Sequence, residues 1–346
     1  LGTFNMTDEI IAKLEAGRDL DRAEAEAVMD QLLAGQIEDA RIVRLLLALR
    51  AKGETSEELV GFARAMRRRA EPVFAPGAHP SEELLDTCGT GGDNSGTFNV
   101  STAAAFVVAG AGVRVAKHGN RSVSTKSGSA DVLEALGIAV EIAPEEAGRA
   151  ISEIGIGFLF APAAHRAMRH AMPARRHVGG RTVFNLLGPL TNPAGASTQV
   201  IGVFSREVVE PVARALSELG ARRAFVVHGL DGLDEISLSA ETELAEVSGG
   251  TVRQYRVSPE DFGLPRAPRE TLSGGDAHTN AAIIRAILDG DRGPRRDIVL
   301  ANASAALVAA DRAPNFREGV HLAARSIDSG AARAKLNALI AFRRRA

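Results

Sequence analysis

The sequence predicts an α/β protein preceded by an all-helical segment. Apolar stripes at helical spacing run through the first 70 residues, and a Pro/Gly-rich link, EPVFAPGAHP, occupies 71–80. Beyond the link, short β-rich runs alternate with alanine-rich helical ones, the pattern of a sheet with crossover helices. A chain of 346 residues is long enough for roughly two domains.

In the helical segment, Ile10, Ile11 and Leu14 form the first stripe, and Val28, Met29, Leu32 and Leu33 the second. Ile42, Val43, Leu45, Leu46 and Leu49 make a third; Leu59, Val60, Phe62, Ala63 and Met66 make a fourth. Thr7-Asp8-Glu9 and Thr55-Ser56-Glu57-Glu58 read as helix starts, a capping oxygen followed by an acidic first turn. Helices this short cannot each bury a full face alone, so they should pack together, and a surplus apolar face suits a dimer contact. After the link, GVRVAK (112–117), TQVIGVF (198–204) and RAFVVHG (223–229) read as strands, with a helical EVVEPVARALSELG between the last two. A basic, helix-like stretch at 161–181 interrupts this alternation.

Composition narrows the function classes. The chain is 45% apolar and 24% charged with a net charge of −2, which weighs against a dedicated nucleic-acid binder. No run approaches the ~18 uncharged apolar residues of a membrane span. The opening residues lack the pattern of a secretory signal, and Cys88 is the single cysteine, so a cytoplasmic protein without disulfides is expected. Arg67-Arg68-Arg69 and Arg343-Arg344-Arg345 read as solvated helix ends. Zinc-type spacings such as C-x-x-C or H-E-x-x-H do not occur.

Residues 86–102, DTCGTGGDNSGTFNVST, are the most informative stretch. They are not a P-loop, because Thr97 stands where lysine should follow Gly91 and Gly96. They are not a dinucleotide fingerprint either, because Asn94 replaces the third glycine after Gly89 and Gly91. Glycines still let backbone N–H groups approach a ligand, and Asn99, Ser101 and Thr102 stand where N-capping residues belong, ahead of the helical AAAFVVAG. Orphan N–H donors at that helix start suit a phosphate. A second anion-binding loop is expected at 116–137, where Lys117, His118, Arg121 and Lys126 lie among Asn120, Ser122, Ser124, Thr125, Ser127 and Ser129. Two such loops suit a ligand with two separated phosphate groups. Asp234-Glu235 follows a strand and a glycine turn and suits Mg²⁺ beside a polyphosphate. Arg175, Arg176 and Arg181 are candidates for holding a carboxylate.

Together these motifs resemble the anthranilate phosphoribosyltransferase family. Its G-T-G-G-D, N-V-S-T, K-H-G-N-R-x-x-S-[ST], D-E and R-T-x-F-N-x-L-G-P-L-x-N-P signatures stand here as Gly89–Asp93, Asn99–Thr102, Lys117–Thr125, Asp234-Glu235 and Arg181–Pro193, in order. The resemblance covers essentially residues 5–340. It implies a small α-helical domain, 1–75 completed by a helical insertion near 161–181, set against a larger α/β domain, 76–160 and 182–346, built on a central mixed sheet. It also implies a stand-alone homodimer joined through the helical domain. A pyrimidine nucleoside phosphorylase on the same fold, or a non-catalytic nucleic-acid-binding relative, is the alternative.

The implied reaction joins the anthranilate amine to C1 of phosphoribosyl pyrophosphate (PRPP) with loss of pyrophosphate, a step in tryptophan biosynthesis. PRPP would be held by Gly89, Gly92, Asp93, Thr97, Asn99, Val100, Ser101, Thr102, Lys117, His118, Gly119, Asn120, Arg121, Ser122, Val123, Ser124, Thr125 and Ser129. Gly89, Asn120 and Arg175 would hold anthranilate. Two Mg²⁺ ions are expected, with Ser101 a ligand of one and Asp234 and Glu235 at the second. Lys117 would take up leaving-group charge, and His118 would orient the amine or line its channel. Two departures lie near the anthranilate approach: Arg166 where the family usually has proline, and Val178-Gly179-Gly180 before Arg181 where it usually reads L-G-V. If the glycine loop closes over PRPP to exclude water, Gly91→Ala and Gly92→Pro should lower turnover without unfolding the protein. Steady-state rates beside circular dichroism check this, and unchanged kinetics would contradict it.

Overall fold

The computed structural model describes residues 6–78, 80, 83–93, 95–122 and 127–342. The first four helices are α1 (Met6–Glu15), α2 (Arg22–Leu33), α3 (Asp39–Lys52) and α4 (Ser56–Arg68). All four apolar stripes are buried apart from the half-buried Val43. Thr55 caps α4 as expected, with Glu58 returning to the Thr55 N–H in a capping box. Thr7 is not a cap. It lies inside α1, where its hydroxyl donates to Gln31 Oε1 at 2.7 Å and ties α1 to α2.

The link is pinned rather than loose. Glu71 donates its N–H to the Ala164 carbonyl at 2.9 Å, and Val73 is buried against Gly148. Then come β1 (Leu84–Asp86), α5 (Val100–Gly110), β2 (Arg114–Gly119), α6 (Ser129–Ala135), α7 (Pro144–Ile154) and β3 (Ile156–Phe160). The basic stretch forms α8 (Ala161–Ala164), a 3₁₀ turn at Arg166–His170 and α9 (Met172–Val178). The rest comprises α10 (Val183–Leu190), β4 (Thr198–Gly202), α11 (Val209–Glu218), β5 (Arg223–Gly229), β6 (Thr242–Ser248), β7 (Thr251–Val257), α12 (Ala277–Leu288), α13 (Pro294–Ala309), α14 (Phe316–Asp328) and α15 (Ala331–Phe342).

The seven strands among the described residues form one mixed sheet in the order β3-β2-β1-β4-β5-β6-β7. The first five are parallel, and β6 and β7 add an antiparallel hairpin. Period-2 alternation decides what each face packs on. Val200, Phe225 and Val227 join the core under α5 and α12–α15, whereas Ile201, Ala224 and Val226 face the core shared by α11, α10 and the helical bundle. Ala171 and Ala174 of the insertion join that second core, which makes the small helical domain N-terminal helices plus a middle insertion. Strand succession reverses between β1 and β4, where loops leaving neighbouring strand ends diverge and open a crevice.

Among the described residues no helix is long and apolar enough to cross a membrane. The Arg67-Arg68-Arg69 expectation needs correcting at its first residue. Arg67 is half-buried and donates to the carbonyls of Leu190 (2.8 Å) and Leu219 (3.1 Å), while Arg68 and Arg69 pair with Glu26 and Asp30. Arg343–Arg345 lie outside the described residues.

The helical bundle turns on Glu58, which is fully buried. It accepts from the N–H groups of Leu20 (2.9 Å) and Thr55 (2.8 Å) and from Lys52 Nζ (3.0 Å). Glu58→Ala leaves the Leu20 and Thr55 N–H groups without their acceptor, while Lys52 keeps Asp19 (2.8 Å) and the Gly53 carbonyl (2.7 Å), so it should cost about 2–4 kcal/mol. Urea unfolding measures this, and a loss below about 1 kcal/mol would show that water replaces the carboxylate.

Candidate active site

The crevice is built at the C-terminal ends of β1, β2, β4 and β5. At the end of β1, Asp86 is fully buried and accepts from the His118 N–H (3.1 Å) and from Asn192 Nδ2 (2.7 Å). Burial pushes its carboxyl up to about 6, partly opposed by the Lys117 charge. One residue on, Thr87 accepts at its carbonyl (3.1 Å) and hydroxyl (3.2 Å) from Lys117 Nζ, which also reaches Ser101 Oγ at 3.5 Å. The Thr87 hydroxyl donates to the Ser101 carbonyl at 3.0 Å. Strand β2 thus delivers a buried ammonium to the start of α5.

Facing it are three carboxylates. Glu235 Oε1 accepts from the Ser101 N–H at 3.1 Å, so a carboxyl oxygen already occupies the start of α5. Asp93 Oδ2 accepts from the Asp234 N–H at 3.4 Å. Burial pushes Glu235 up to about 8 even though Lys117 and the Ser101 N–H favour its charged form. Asp234 is held well above the carboxylate range, first by burial and then by the charges of Asp93 and Glu235. Crowded hard oxygen donors with too little positive charge between them suit Mg²⁺, so the donor chemistry fits that ion.

The glycines have separate reasons. Gly89 sits against the Gly202 carbonyl, where an added Cβ would lie 3.1 Å from that oxygen and 3.6 Å from Asp234 Oδ2. Gly92, at φ +79°, offers its carbonyl to Arg181 Nη1 at 3.0 Å. Ser95 bridges Asp93 and Thr97: its N–H donates to Asp93 Oδ1 (3.2 Å) and its hydroxyl lies 2.9 Å from Thr97 Oγ1.

Helix α5 departs from the capping expectation. Asn99 precedes it but makes no side-chain cap bond. Its amide is instead drawn to the Ser127 carbonyl (3.2 Å) and to Asn280 Nδ2 (3.0 Å), joining the first loop to the second and to α12. Val100 and Thr102 point into the core, at 1% exposure each, so neither side chain faces the crevice.

The second loop is shaped by Asp131, whose Oδ2 accepts from the N–H groups of Ser122 (3.0 Å) and Gly128 (2.8 Å). Gly119 packs so closely on the Ser129 hydroxyl that a Cβ would collide with it. Ser129 in turn donates to the Asn120 carbonyl at 3.3 Å. Arg121 does not point free into the crevice; it pairs with Asp131, Glu134 and Glu141. Val123, Ser124, Thr125 and Lys126 lie outside the described residues.

On the helical-domain side, His118 Nδ1 meets the Gly188 carbonyl at 3.0 Å, while its buried Nε2 has no partner among the described residues. Burial, then the neighbouring His165, push its imidazole down to about 3. His165 lies 5.3 Å away centroid to centroid, also with an unpartnered Nε2, and burial pushes it down to about 4. Arg175 lies over the Phe184 ring at 5.1 Å and makes no ion pair among the described residues; burial lowers it from its ordinary value. Arg176 is exposed, and Arg181 stacks on Phe204 at 4.3 Å while holding Gly92. Of the two departures, Arg166 sits 3.6 Å from Glu71, and Gly180 takes φ +65° beside Arg50.

Several site-forming residues were not singled out from sequence. Asp86, Thr87, Asn192, Asn280 and Gly202 act through contacts that sequence spacing does not show. Gly202 left one signal, a glycine inside a β-rich run. Any Cβ there would collide with the Asp234 backbone carbonyl.

Comparison with known proteins follows the same two-part layout. A glycosyl transferase helical bundle model matches residues 8–70, and a glycosyl transferase a/b domain model matches 81–333. The chain is therefore a glycosyl transferase in class. It is 55% identical over 336 residues to an anthranilate phosphoribosyltransferase of Symbiobacterium thermophilum, covering 97% of each chain. The crystal structure of the Thermus thermophilus anthranilate phosphoribosyltransferase matches with a TM-score of 0.90 at 48% identity, over 97% of this chain and 99% of that one. The Saccharomyces cerevisiae enzyme in complex with PRPP and Mg matches with a TM-score of 0.88 at 27% identity, over 98% of both. The chain belongs to the anthranilate phosphoribosyltransferase family, Mg-dependent pentosyltransferases of tryptophan biosynthesis, as its five motifs implied.

The acid cluster makes stability pH-dependent. Between the ordinary glutamate value near 4.5 and about 8, folded Glu235 keeps a proton that the unfolded chain has lost. The folded state then binds more protons, so stability of the metal-free protein falls as pH rises through this window. Thermal unfolding in chelator at pH 6 and pH 8 should show the lower midpoint at pH 8, with a smaller difference in Glu235→Gln. An equal difference in the variant would assign the effect elsewhere.

Proposed function

We propose that the crevice binds PRPP across its two loops, with anthranilate entering from the α9–α10 side. The observation that carries this reading is Arg175. A largely desolvated guanidinium without a carboxylate partner among the described residues, lying over an aromatic ring, is a receptor for a small aromatic acid. The same helix α10 supplies the Gly188 carbonyl that fixes His118. The yeast relative's structure with 4-fluoroanthranilate supports such a ligand.

In this reading Gly89, Gly92, Asp93, Thr97, Asn99, Ser101, Lys117, Gly119, Asn120, Ser122 and Ser129 surround PRPP, Val100 and Thr102 with backbone groups only. Arg121 would have to leave its carboxylates to take part. Arg175 orients the anthranilate carboxylate, with Gly89 and Asn120 beside the ring. His118 Nε2 accepts a hydrogen bond from the aryl amine and aims its lone pair at C1. Held near 3, this imidazole is too weak a base to store the proton. None is needed, because the arylammonium formed is strongly acidic and gives its proton to the departing pyrophosphate. Nitrogen attacks C1 as the C1–O bond to pyrophosphate breaks, with inversion. Lys117 offsets the charge that develops on the leaving group, from a buried position that strengthens the interaction. Two Mg²⁺ ions, held by Ser101 and by Asp234 and Glu235 with Asp93 close by, would supply further neutralisation of pyrophosphate when bound.

Residues 1–75 with the 161–181 insertion form one unit in this reading, and two copies pair through it. Leu47 on α3, exposed at 41%, belongs to the expected contact. A cytoplasmic enzyme fits the single, buried thiol.

Loss of anthranilate fluorescence should depend on both PRPP and Mg²⁺. Arg175→Ala should raise the anthranilate KM at least tenfold, about 1.4 kcal/mol or more, and spare the KM of PRPP. Equal losses for both substrates would overturn the role of Arg175, and no fluorescence loss in the folded, metal-loaded protein would overturn the reading.

A further inference from the structure

The end of β1 carries a second donor set whose chemistry differs from that of the acid cluster. A carboxylate oxygen of Asp86, the Cys88 sulfur and a ring nitrogen of His118 all lie within 4.8 Å of one another, and all three residues are buried. The cluster at Asp93, Asp234 and Glu235 offers only hard oxygens. This one offers sulfur, nitrogen and oxygen, a combination that favours borderline and soft divalent ions over Mg²⁺.

His118 is already set as a ligand. A carbonyl can only accept, so the contact with Gly188 places the proton on Nδ1 and leaves the lone pair on Nε2. Metal-binding histidines are commonly held in this way, with one ring N–H on a carbonyl and the other nitrogen open. That Nε2 is buried and unpartnered among the described residues in a side chain only 2% exposed. His165 Nε2 is also buried and unpartnered among the described residues, but it lies outside this set of three. Asp86 is steadied by Asn192 and the His118 N–H, and each of its oxygens keeps a further lone pair.

We propose that Asp86, Cys88 and His118 bind one thiophilic divalent cation of the zinc and cadmium type, and that its binding blocks the transferase. On binding, the Cys88 S–H bond breaks, sulfur bonds to the ion and one proton leaves to solvent; nothing is oxidised or reduced. Tetrahedral zinc with bonds of about 2.0–2.3 Å needs ligand atoms roughly 3.5 Å apart, so the three groups must close by at most about 1.3 Å. The nearby Lys117 charge opposes the ion, which makes this a weak, reversible site rather than a structural one. The block rests on the proposed use of the His118 lone pair for the amine, whereas cation binding itself does not.

The single cysteine makes the test specific, because any sulfur-to-metal charge-transfer absorption must come from Cys88. The full chain is titrated with Cd²⁺ in excess Mg²⁺, which occupies the oxygen sites, and ultraviolet difference spectra are recorded. The expected band saturates at one Cd²⁺ per chain, is displaced by Zn²⁺ and is absent from Cys88→Ser. His118→Gln, and Asp86→Asn should the first variant misfold by circular dichroism, should weaken Cd²⁺ binding at least tenfold. No band in the folded protein overturns the site. A band with the same midpoint in the folded variants reduces it to a lone thiol and overturns the chelate. Zn²⁺ should inhibit the wild type but leave Cys88→Ser active in excess Mg²⁺, and equal inhibition of both would overturn the block while the band still decides binding.

Discussion

The active centre depends on one buried carboxylate. Asp86 ends β1 at the point where strand order reverses, and it holds β2 through the His118 N–H and the turn after α10 through Asn192. Two directions are set at once: Lys117 turns toward Thr87 and Ser101, and His118 toward Gly188. Because the carboxylate is fully buried, either bond lost would leave a polar group without water to replace it. The cost of that error keeps the ends of β1 and β2 in register, and both the glycine loop and the loop after β2 inherit their positions from it.

Charge is then placed with little compensation. One ammonium stands among Asp86, Asp93, Asp234 and Glu235, and burial drives three of these four upward. A protein selected for stability alone would not crowd carboxylates in this way. Such a cluster suits a divalent cation that supplies the missing positive charge. Gly202 shows how closely the parts are fitted, for the backbone of β4 meets the backbone of Asp234 with no room for a Cβ.

The helical domain contributes more than a platform. Its core is continuous with one face of the sheet through α10 and α11, so the insertion carrying His165 and Arg175 is seated on the same packing that supports β4 and β5. Arg50 of α3 donates to the Gly179 carbonyl at 3.0 Å, next to the loop from which Arg181 holds Gly92. A chain of polar contacts therefore runs from the helical bundle to the glycine loop.

Local pattern was enough for the four N-terminal helices, for α5, α6 and α11, for the helical insertion and for three strands. The four N-terminal stripes, the Thr55 capping box and the runs that became β2, β4 and β5 are all properties of neighbouring residues, which sequence displays directly. The family was legible for the same reason, since its motifs are contiguous. Strand β1 is three residues long and carries no period, and the outer hairpin β6–β7 has one largely exposed strand, so neither stood out. Which groups meet was decided by tertiary structure. Asn99 could have capped α5, yet Ser127 and Asn280 offer it stronger claims from distant segments, while Glu235 takes the helix start instead. Arg121 looked like a phosphate ligand, but in this structure three carboxylates hold it. Sequence alone determined the donors and where the backbone could bend; only folding decided their partners, because burial drives most polar groups to find one and the nearest in space is seldom the nearest in the chain.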